Sequence, residues 1–416
     1  MSLRKISLLL HLLALSLLLL TPGVSVANQN QKVNLDSIYK CIDDAILASP
    51  SYVAVKQKTI DRVTGDLRSV RHTTDSLRLC RQLYDEYAPF RNDSALHYIM
   101  QCISLATRLG NIEYADECRA IAAYQCSNTG LYTEAQDLLD HITLSSATPY
   151  THSKYLLAAS HLSGEIAFYS PIPYFKAQYY SQQGQFNSMI YESFDHADDA
   201  YLQRREMDFI NAKDFRNALA INDKRIKGLN PDARQFAVVA FYRFLDYTLI
   251  SDIDMQCYWL AKSSLCDIKN SVMDQAALWE LANRLRDKGD IERSQRYITF
   301  AWQCAMNFGT RIRSQQITPV LSQVDALVQN EQKLITDRLY FFIIALIVLS
   351  VVFFILLVNL KVQHDRLVKT RNELHQSNEQ LAVLNSEMHI ANQKLYEAVA
   401  QTEELNGQLK QAGRLK

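Results

Sequence analysis

The side chains with the most chemical potential in this sequence are the His364-Asp365 pair, eight cysteines and a group of tyrosines. A His-Asp pair is typical of a kinase phosphoacceptor, but this one directly follows a long apolar segment and no proline follows it. A phosphate-binding loop needs clustered glycines, and no two glycines here stand closer than the six residues between Gly407 and Gly413. We therefore predict that the protein is not an enzyme and has no catalytic, cofactor-binding or metal-binding residue.

The eight cysteines all lie between positions 41 and 304. They form no Cys-x-x-Cys pair and no metal-ligand spacing with a histidine. The favoured interpretation is that they are small apolar core residues. A bridge between neighbouring helices, such as Cys102 to Cys118 or Cys126, stays open in an oxidising compartment.

A tyrosine-rich stretch, FYSPIPYFKAQYYSQQGQFNSMIYESF at 168–194, is the candidate ligand or partner surface. Tyrosine combines an apolar ring with a polar tip, which suits contacts to a peptide or a sugar. The alternative is packing between helices, because the aromatic residues recur at helical spacing. The candidate residues are Tyr169, Tyr174, Tyr179, Tyr180 and Tyr191.

The residues named above must be positioned by helices, because a sequence with only 11 Gly and 8 Pro among 416 residues has few tight turns. The prolines stand at intervals that suit breaks between helices. A pattern of the form turn–x–apolar–x–x–small occurs at 110–115, 130–135, 213–218 and 289–294. In a helical hairpin the apolar residue packs into the pair and the small residue lets the helices approach. This pattern is typical of tetratricopeptide repeats, although the copies are irregularly spaced. The predicted repeat-turn residues are Gly110, Ala115, Gly130, Tyr132, Ala135, Phe215, Ala218 and Gly289.

Apolar residues at helical spacing predict further helices around these turns. The segment 93–109 opens on an Asp or Ser cap, and the segment 236–250 is apolar on nearly every side and should lie in the core. We predict an all-α fold: a tetratricopeptide-like helical solenoid of about a dozen antiparallel helices, one transmembrane helix and a C-terminal coiled coil. The concave face of such a solenoid is the natural place for a peptide or protein partner.

The stretch RLYFFIIALIVLSVVFFILLVNLK has 22 uncharged residues between Arg338 and Lys361. As a helix it is about 33 Å long, enough to cross a hydrocarbon core of about 30 Å. A buried helix of a large soluble domain is the alternative, but such helices are usually shorter and amphipathic. We predict a transmembrane helix at 338–360.

The N-terminus is typical of a secretory signal peptide, with Arg4 and Lys5 before an apolar block and small residues before Asn28. An uncleaved anchor is the alternative. The flank after the transmembrane segment is more basic than the flank before it, so the tail should be cytoplasmic. The predicted inner-membrane arrangement is a signal peptide (1–27), a periplasmic tetratricopeptide-like helical domain (28–337), the transmembrane helix (338–360) and a cytoplasmic coiled coil (361–416).

The tail carries an apolar residue at nearly every seventh position from Leu360 to Leu409. Placed at heptad position d, these residues put Asn at several a positions; placed at a, they put Leu and Ala at d, and the choice stays open. Asn at a favours a parallel dimer of fixed register. A solvated single helix is the alternative. The predicted dimer seam consists of Leu367, Leu374, Asn378, Leu381, Asn385, Met388, Asn392 and Leu395.

The segments DSIYKCIDDAI (36–46) and LYDEYAPFRNDSALHYIMQCISLATRLGN (83–111), the GLYTEA turn, the apolar span and the Asn/Leu-rich tail resemble a Bacteroidetes family of membrane-anchored tetratricopeptide-repeat-like regulators. The resemblance covers roughly 33–416. It implies a transcriptional regulator controlled from outside the membrane, because in such relatives the coil continues to a helix-turn-helix-like segment. This chain ends at Lys416 inside the coil, so we expect its output region to be truncated or separate.

Two functions therefore remain open from the sequence. The first is a signalling protein whose periplasmic domain senses an event and whose dimeric coil relays it to a transcriptional output. The second is a membrane-tethered adaptor that holds envelope proteins or peptides. Lys and Arg number 44, as do Asp and Glu, so no basic footprint predicts nucleic-acid binding. The expected partners are the membrane, a second copy through the tail, and a periplasmic protein or peptide.

Overall fold

The structure is a computed structural model that describes residues 33–412. Within this range the regular structure is helical, with no β-strand, which confirms the all-α prediction. A short 3-10 helix spans Leu144–Ser146. The α-helices are α1 (Leu35–Ser69), α2 (Thr73–Tyr87), α3 (Asn92–Arg108), α4 (Ile112–Thr129), α5 (Tyr132–Asp140), α6 (Pro149–Tyr169), α7 (Pro173–Ser193), α8 (Asp199–Asn211), α9 (Phe215–Ile226), α10 (Arg234–Thr248), α11 (Ile253–Lys269), α12 (Ala276–Asp287), α13 (Ile291–Phe308) and α14 (Arg311–Ala412).

Four tight turns between helices stand where the repeat pattern places them. Gly110, Gly130 and Gly289 have φ values of 71°, 86° and 84°, in the left-handed region that glycine adopts without strain. Lys213 makes the equivalent turn with φ of 57°. The small residue of each copy is completely buried, which lets the paired helices approach closely; these residues are Ala115, Ala135, Ala218 and Ser294.

A further turn of the same kind joins α10 to α11 without any glycine. Ser251 has φ of 54°, and the Asp252 side chain accepts a hydrogen bond from the Met255 backbone N–H at 3.1 Å, which caps α11. The position of the small residue is taken by Gln256, which is buried and donates to the Tyr247 carbonyl at 3.1 Å. The sequence pattern misses this copy because both the glycine and the small residue are replaced.

Two prolines contradict the expectation that prolines mark breaks between helices. Pro50 lies inside α1 and Pro319 lies inside α14. A proline within a helix removes one backbone hydrogen bond and costs about 3 kcal/mol. Ile42 and Ile60, on either side of Pro50, are fully buried, and each such burial contributes about 1.5–3 kcal/mol. Core packing on both sides therefore keeps α1 continuous through the proline.

The helical unit formed by residues 33–328 is closed by its first helix. Ile38, Tyr39 and Ile42 of α1 belong to the same core cluster as residues of α10 to α14. Within this cluster the Tyr297 hydroxyl donates to the Tyr39 backbone carbonyl at 3.1 Å. The first and last helices of the repeat array therefore share one hydrophobic core.

Helix α14 begins within this unit and continues beyond it. Ile317, Val320 and Val324 are buried in the core shared with α1. From Gln329 onward the helix is a separate unit with exposed side chains. In the described part of the chain, α14 is the one helix long and apolar enough to cross a membrane. The predicted signal peptide lies outside the described residues.

Candidate functional site

A cavity of about 750 Å³ opens within the unit of residues 33–328. Its walls come from the six helices α2, α4, α6, α7, α8 and α10. Small-molecule sites commonly have this size and combine apolar walls with a few convergent polar groups. This cavity therefore has the dimensions of a ligand site.

Helix α6 forms one wall through residues at helical spacing, namely His161, Gly164, Glu165 and Phe168. The helix starts at Pro149, where the Thr148 hydroxyl caps it by accepting from the Thr151 backbone N–H at 3.3 Å. Gly164 permits the close approach of α7, because a Cβ there would overlap the Gln183 side chain. The α6–α7 hairpin is thus tightly packed at the point where it borders the cavity.

His161 is a neutral hydrogen-bonding group in this wall. Its Nδ1 lies 2.7 Å from Ser127 Oγ, and the same hydroxyl lies 2.9 Å from the Tyr124 carbonyl. With the Ser127 proton assigned to that carbonyl, the imidazole proton is on Nδ1 and Nε2 is an acceptor. Burial, with the Arg204 charge nearby, lowers the pKa of His161 to about 4. The imidazole is consequently uncharged at neutral pH.

Arg204 of α8 is a cation held at the cavity by neutral oxygens. Its Nε donates to Asn187 Oδ1 at 3.2 Å, and Nη1 donates to the Ala200 carbonyl at 3.2 Å. The same Asn187 oxygen accepts from Ser160 Oγ at 2.7 Å, so three helices are joined at this point. Burial lowers the pKa of Arg204, but a guanidinium remains protonated in proteins.

Aromatic rings supply the apolar surface of the cavity. Tyr124 and Tyr180 are each 42% exposed, and Phe168 is 61% exposed. The Tyr242 hydroxyl accepts a hydrogen bond from Gln203 Nε2 at 2.5 Å. Desolvation within the cavity walls raises the pKa of Tyr124 to about 12 and also raises the pKa of Tyr242, so both are neutral phenols. The walls can therefore pack against an apolar body and still offer hydroxyl groups.

A buried ionic network holds α8 from behind the cavity. Arg225 Nη1 donates to Glu206 Oε2 at 2.6 Å, and both side chains are completely buried. Asn222 Nδ2 donates to the other Glu206 oxygen at 2.7 Å. Burial, with Glu206 nearby, raises the pKa of Asp246 to about 8, so this carboxyl is protonated at neutral pH. The Arg225 guanidinium lies 4.9 Å from the Tyr242 ring centre, which connects the network to the cavity wall.

The cavity helix α6 also contacts the first turns of α14, from Arg311 to Val328, which are called the base of α14 below. Arg313 donates to both oxygens of Asp274, from Nε at 2.6 Å and from Nη2 at 3.0 Å. Burial raises the pKa of Glu165 to about 7, and the Arg313 charge partly offsets that rise. One turn further, Gln316 Nε2 donates to the Tyr169 hydroxyl at 2.6 Å. Because Tyr169 is the last residue of α6, a hydrogen bond links this cavity wall to α14.

The five tyrosines of the predicted surface lie in different places. Tyr180 lines the cavity, whereas Tyr169 contacts α14 as described. The Tyr191 hydroxyl donates to Asp208 Oδ2 at 2.7 Å, and Asp208 is itself a cavity residue. Tyr174 is 73% exposed and Tyr179 is half-buried, and neither lines the cavity. The stretch therefore contributes to the cavity through Tyr180 directly and through Tyr191 indirectly.

The predicted dimer seam lies along the exposed part of α14. Its apolar members stand uncovered in the single chain, for example Leu367 at 71% and Leu395 at 63% exposure. The seam residues Leu374, Asn378, Leu381, Asn385, Met388 and Asn392 are exposed as well. Dimerisation through this seam remains a prediction.

Of the eight cysteines, all are free thiols and seven are buried; Cys41 is exposed. Cys102 and Cys118 belong to the same hydrophobic cluster between α3 and α4. Burial raises the pKa of Cys126 to about 12, so that thiol is unreactive at neutral pH. The alternative, a bridge from Cys102 to Cys118 or Cys126, is not formed in this structure.

The main cavity residues are absent from the predicted set. His161, Arg204, Tyr124 and Tyr242 come from four different helices, and no local motif connects them. A usable signal does exist within single helices, because Arg204 and Asp208 follow one another at helical spacing and so do the polar residues of α6. In these two helices, polar residues at helical spacing line the cavity wall.

Packed helical hairpins around a ligand-sized cavity define a helical-repeat protein of the tetratricopeptide class. Residues 46–319, more than half of the chain, match the model of the family described as the SusR N-terminal TPR domain, and the chain belongs to that family. A comparison with curated proteins found no match. The family assignment confirms the resemblance to tetratricopeptide-like regulators and indicates a regulator-type helical-repeat protein.

Proposed function

We propose that the protein is a single-pass membrane regulator and not an enzyme. Its helical domain binds a ligand in the cavity, and α14 transmits the binding event across the membrane. The observation that carries this proposal is the joint between α6 and α14, where Gln316 donates to Tyr169 at 2.6 Å. A shift of α6 on ligand binding acts on α14 through this joint.

The base of α14 is fixed firmly enough to receive such a shift. A Cβ on Gly130 would stand only 2.8 Å from Ile312 Cγ1, so the helix base is packed tightly against the end of α4. Ile317 and Val324 are fully buried. The chain is helical from Arg311 to Ala412, so no described loop separates this base from the apolar segment or the heptads. Small displacements of packed helices are an established means of switching.

The proposed orientation places the helical domain in the periplasm and the tail in the cytoplasm. Its support is the greater number of Lys and Arg residues after the apolar segment than before it. The signal sequence predicted at 1–27 agrees with export of the domain. In this arrangement the cavity is exposed to molecules of the cell envelope.

The tail is proposed to form a parallel homodimer that changes its packing when α14 moves. Asn at heptad a positions fixes register but lowers stability, so two packings can lie close in free energy. The exposed leucines at heptad spacing support this pairing. We propose a transcriptional output, in keeping with the regulator family, reached through a partner of the coil or a region outside this sequence.

A tether is the second candidate function. It is favoured by the exposed aromatic surface at the start of α7, where Tyr174 is 73% and Phe175 is 46% exposed. Such a surface suits docking of an envelope protein or peptide. In a tether the tail anchors or dimerises the protein, and the phase of its helix is immaterial.

Insertions after Lys361 distinguish these functions. One inserted residue rotates the following helix by about 100°, whereas seven residues restore the heptad phase to within about 20°. Each variant replaces the wild-type gene in its host, and transcripts are compared with those of wild type and a deletion strain. A relay predicts that the one-residue insertion alters the transcripts and that the seven-residue insertion does not. Wild-type transcripts from both insertions, with an altered profile from the deletion, would refute the relay.

A further inference from the structure

Arg204 is a cation in the cavity that has no carboxylate of the described residues at ion-pair distance, although the charge of Asp198 acts on it from farther away. Its two described hydrogen bonds go to neutral oxygens, the Asn187 amide and the Ala200 carbonyl. Among residues 33–412, no carboxylate forms an ion pair with its guanidinium. Holding a partly desolvated charge without a counter-ion is unfavourable, so the site is better satisfied when an anion enters.

One acidic side chain of the same cavity, Asp208, is already bonded to other residues. Asp208 accepts from the Tyr191 hydroxyl at 2.7 Å and pairs with Arg205 at 3.3 Å. Burial raises the pKa of Glu165 to about 7, which reduces the negative charge of this carboxyl near neutral pH. The other cation, Lys154, stacks over the Tyr150 ring at 4.9 Å. Arg204 is therefore the guanidinium left for a ligand, while two nearby carboxyl groups disfavour a dianion such as phosphate.

The remaining walls describe the body of the ligand. Tyr124, Tyr180 and Phe168 present ring surfaces, and His161 Nε2 is an acceptor under the tautomer assigned above. A volume of about 750 Å³ accommodates a molecule of drug size. Rings pack well on such walls, and hydroxyl or amide groups of a ligand can bond to the imidazole and the phenols.

We propose that the cavity binds a small organic anion, with one carboxylate paired to Arg204 and a ring-bearing body packed against the aromatic walls. This inference rests on the proposed function and specifies the class of ligand. A guanidinium can bind a carboxylate through two parallel hydrogen bonds, and Nη2 has no protein partner among the described contacts.

The test compares ring-bearing carboxylic acids with their own primary amides. Dansylglycine and dansylglycinamide form the fluorescent pair, titrated against the full chain in lipid nanodiscs with empty nanodiscs as the blank. A panel of non-fluorescent acid–amide pairs is measured by competition with dansylglycine and by thermal shift. The expected result is saturable binding of the acid at least tenfold tighter than of its amide, which corresponds to about 1.4 kcal/mol.

Arg204→Gln is the decisive variant and Arg216→Gln is its matched control, because Arg216 is exposed on α9 and does not line the cavity. We expect Arg204→Gln to weaken acid binding at least tenfold and to leave amide binding unchanged, with Arg216→Gln equal to wild type. Equal affinities for acids and amides, or acid binding unaffected by Arg204→Gln, would overturn the anion proposal while leaving a ligand-binding cavity. Absence of acid binding across the panel would also overturn it, whereas failure of the insertion test would refute the relay alone.

Discussion

Replacement of Arg225 by leucine is expected to destabilise the helical domain strongly. The Arg225 side chain is completely buried and bonds Glu206 at 2.6 Å and Asp199 at 2.8 Å. Its removal leaves the buried Glu206 carboxylate without its cation. Loss of one partner from a buried ion pair costs about 3–5 kcal/mol.

The expected shift in melting temperature follows from the size of the unit. A domain of about 300 residues has an unfolding entropy of roughly 0.6 kcal/mol/K, so about 3–5 kcal/mol lowers Tm by roughly 5–8 °C. Lys269→Met is the matched control. It removes the Lys269–Asp232 pair, whose side chains are 40% and 67% exposed, and such pairs contribute less than about 1 kcal/mol.

Tryptophan fluorescence reports this unit specifically, because all three tryptophans, Trp259, Trp279 and Trp302, lie in α11 to α13. The full chain is heated in detergent, and the midpoints of the variants are compared with wild type. A fall in Tm no larger than that of Lys269→Met would refute the reasoning. Replacing Glu206 by leucine in the same chain should recover part of the loss, since the one carboxylate then left without Arg225 is Asp199, which is 36% exposed to solvent.

Three further variants test other features. Burial raises the pKa of Asp246 in the folded state, so its stabilising contribution is full below pH about 4 and is lost as the pH rises to about 8. The Tm of Asp246→Asn should therefore rise relative to the Tm of wild type between pH 5 and 8. Parallel profiles of Tm against pH would contradict this. Lys213 has φ of 57°, so Lys213→Gly should stabilise by up to about 1 kcal/mol in urea unfolding, and a lower midpoint would argue against strain. Ala218→Leu should lower the free energy of unfolding by about 1–3 kcal/mol, because it overpacks a fully buried position. Ala220→Leu, on the exposed side of α9, should change the urea midpoint little. Equal midpoints for the two variants would show that the hairpin tolerates the added volume.

The helical turns could be predicted from the sequence because their determinants are local. A left-handed residue, such as Gly130, must be followed at a fixed distance by a small one, such as Ala135, and both constraints lie within a single hairpin. The sequence pattern did not predict the turn at Ser251, because the polar residue Gln256 takes the position of the small residue and is buried with a hydrogen bond. Long apolar segments are equally local, which is why composition could predict that the C-terminal part of the chain contains a helix long and apolar enough to cross a membrane.

The cavity could not be predicted in the same way. Its polar residues are distant in sequence, and Tyr124 and Arg204 meet only because α4 and α8 pack around the same space. Tyrosine density drew attention to α7, but most of that stretch faces other surfaces: Tyr174 is exposed and Tyr191 lies behind Asp208. Helical spacing predicts which residues share a face, and tertiary packing decides what that face meets.

The closure of the repeat array by α1 has a consequence for biosynthesis. Tyr39 and Tyr297 are 258 residues apart in sequence, yet they share one hydrogen bond and one core cluster. Translation at about 5–20 residues per second separates their emergence by roughly 13–50 s. For most of that interval the apolar face of α1 lacks its partners in α11 and α12, and until its end it lacks Tyr297 of α13. We expect the nascent chain to need a holding chaperone for this first helix, and folding of the array to finish from its C-terminal side.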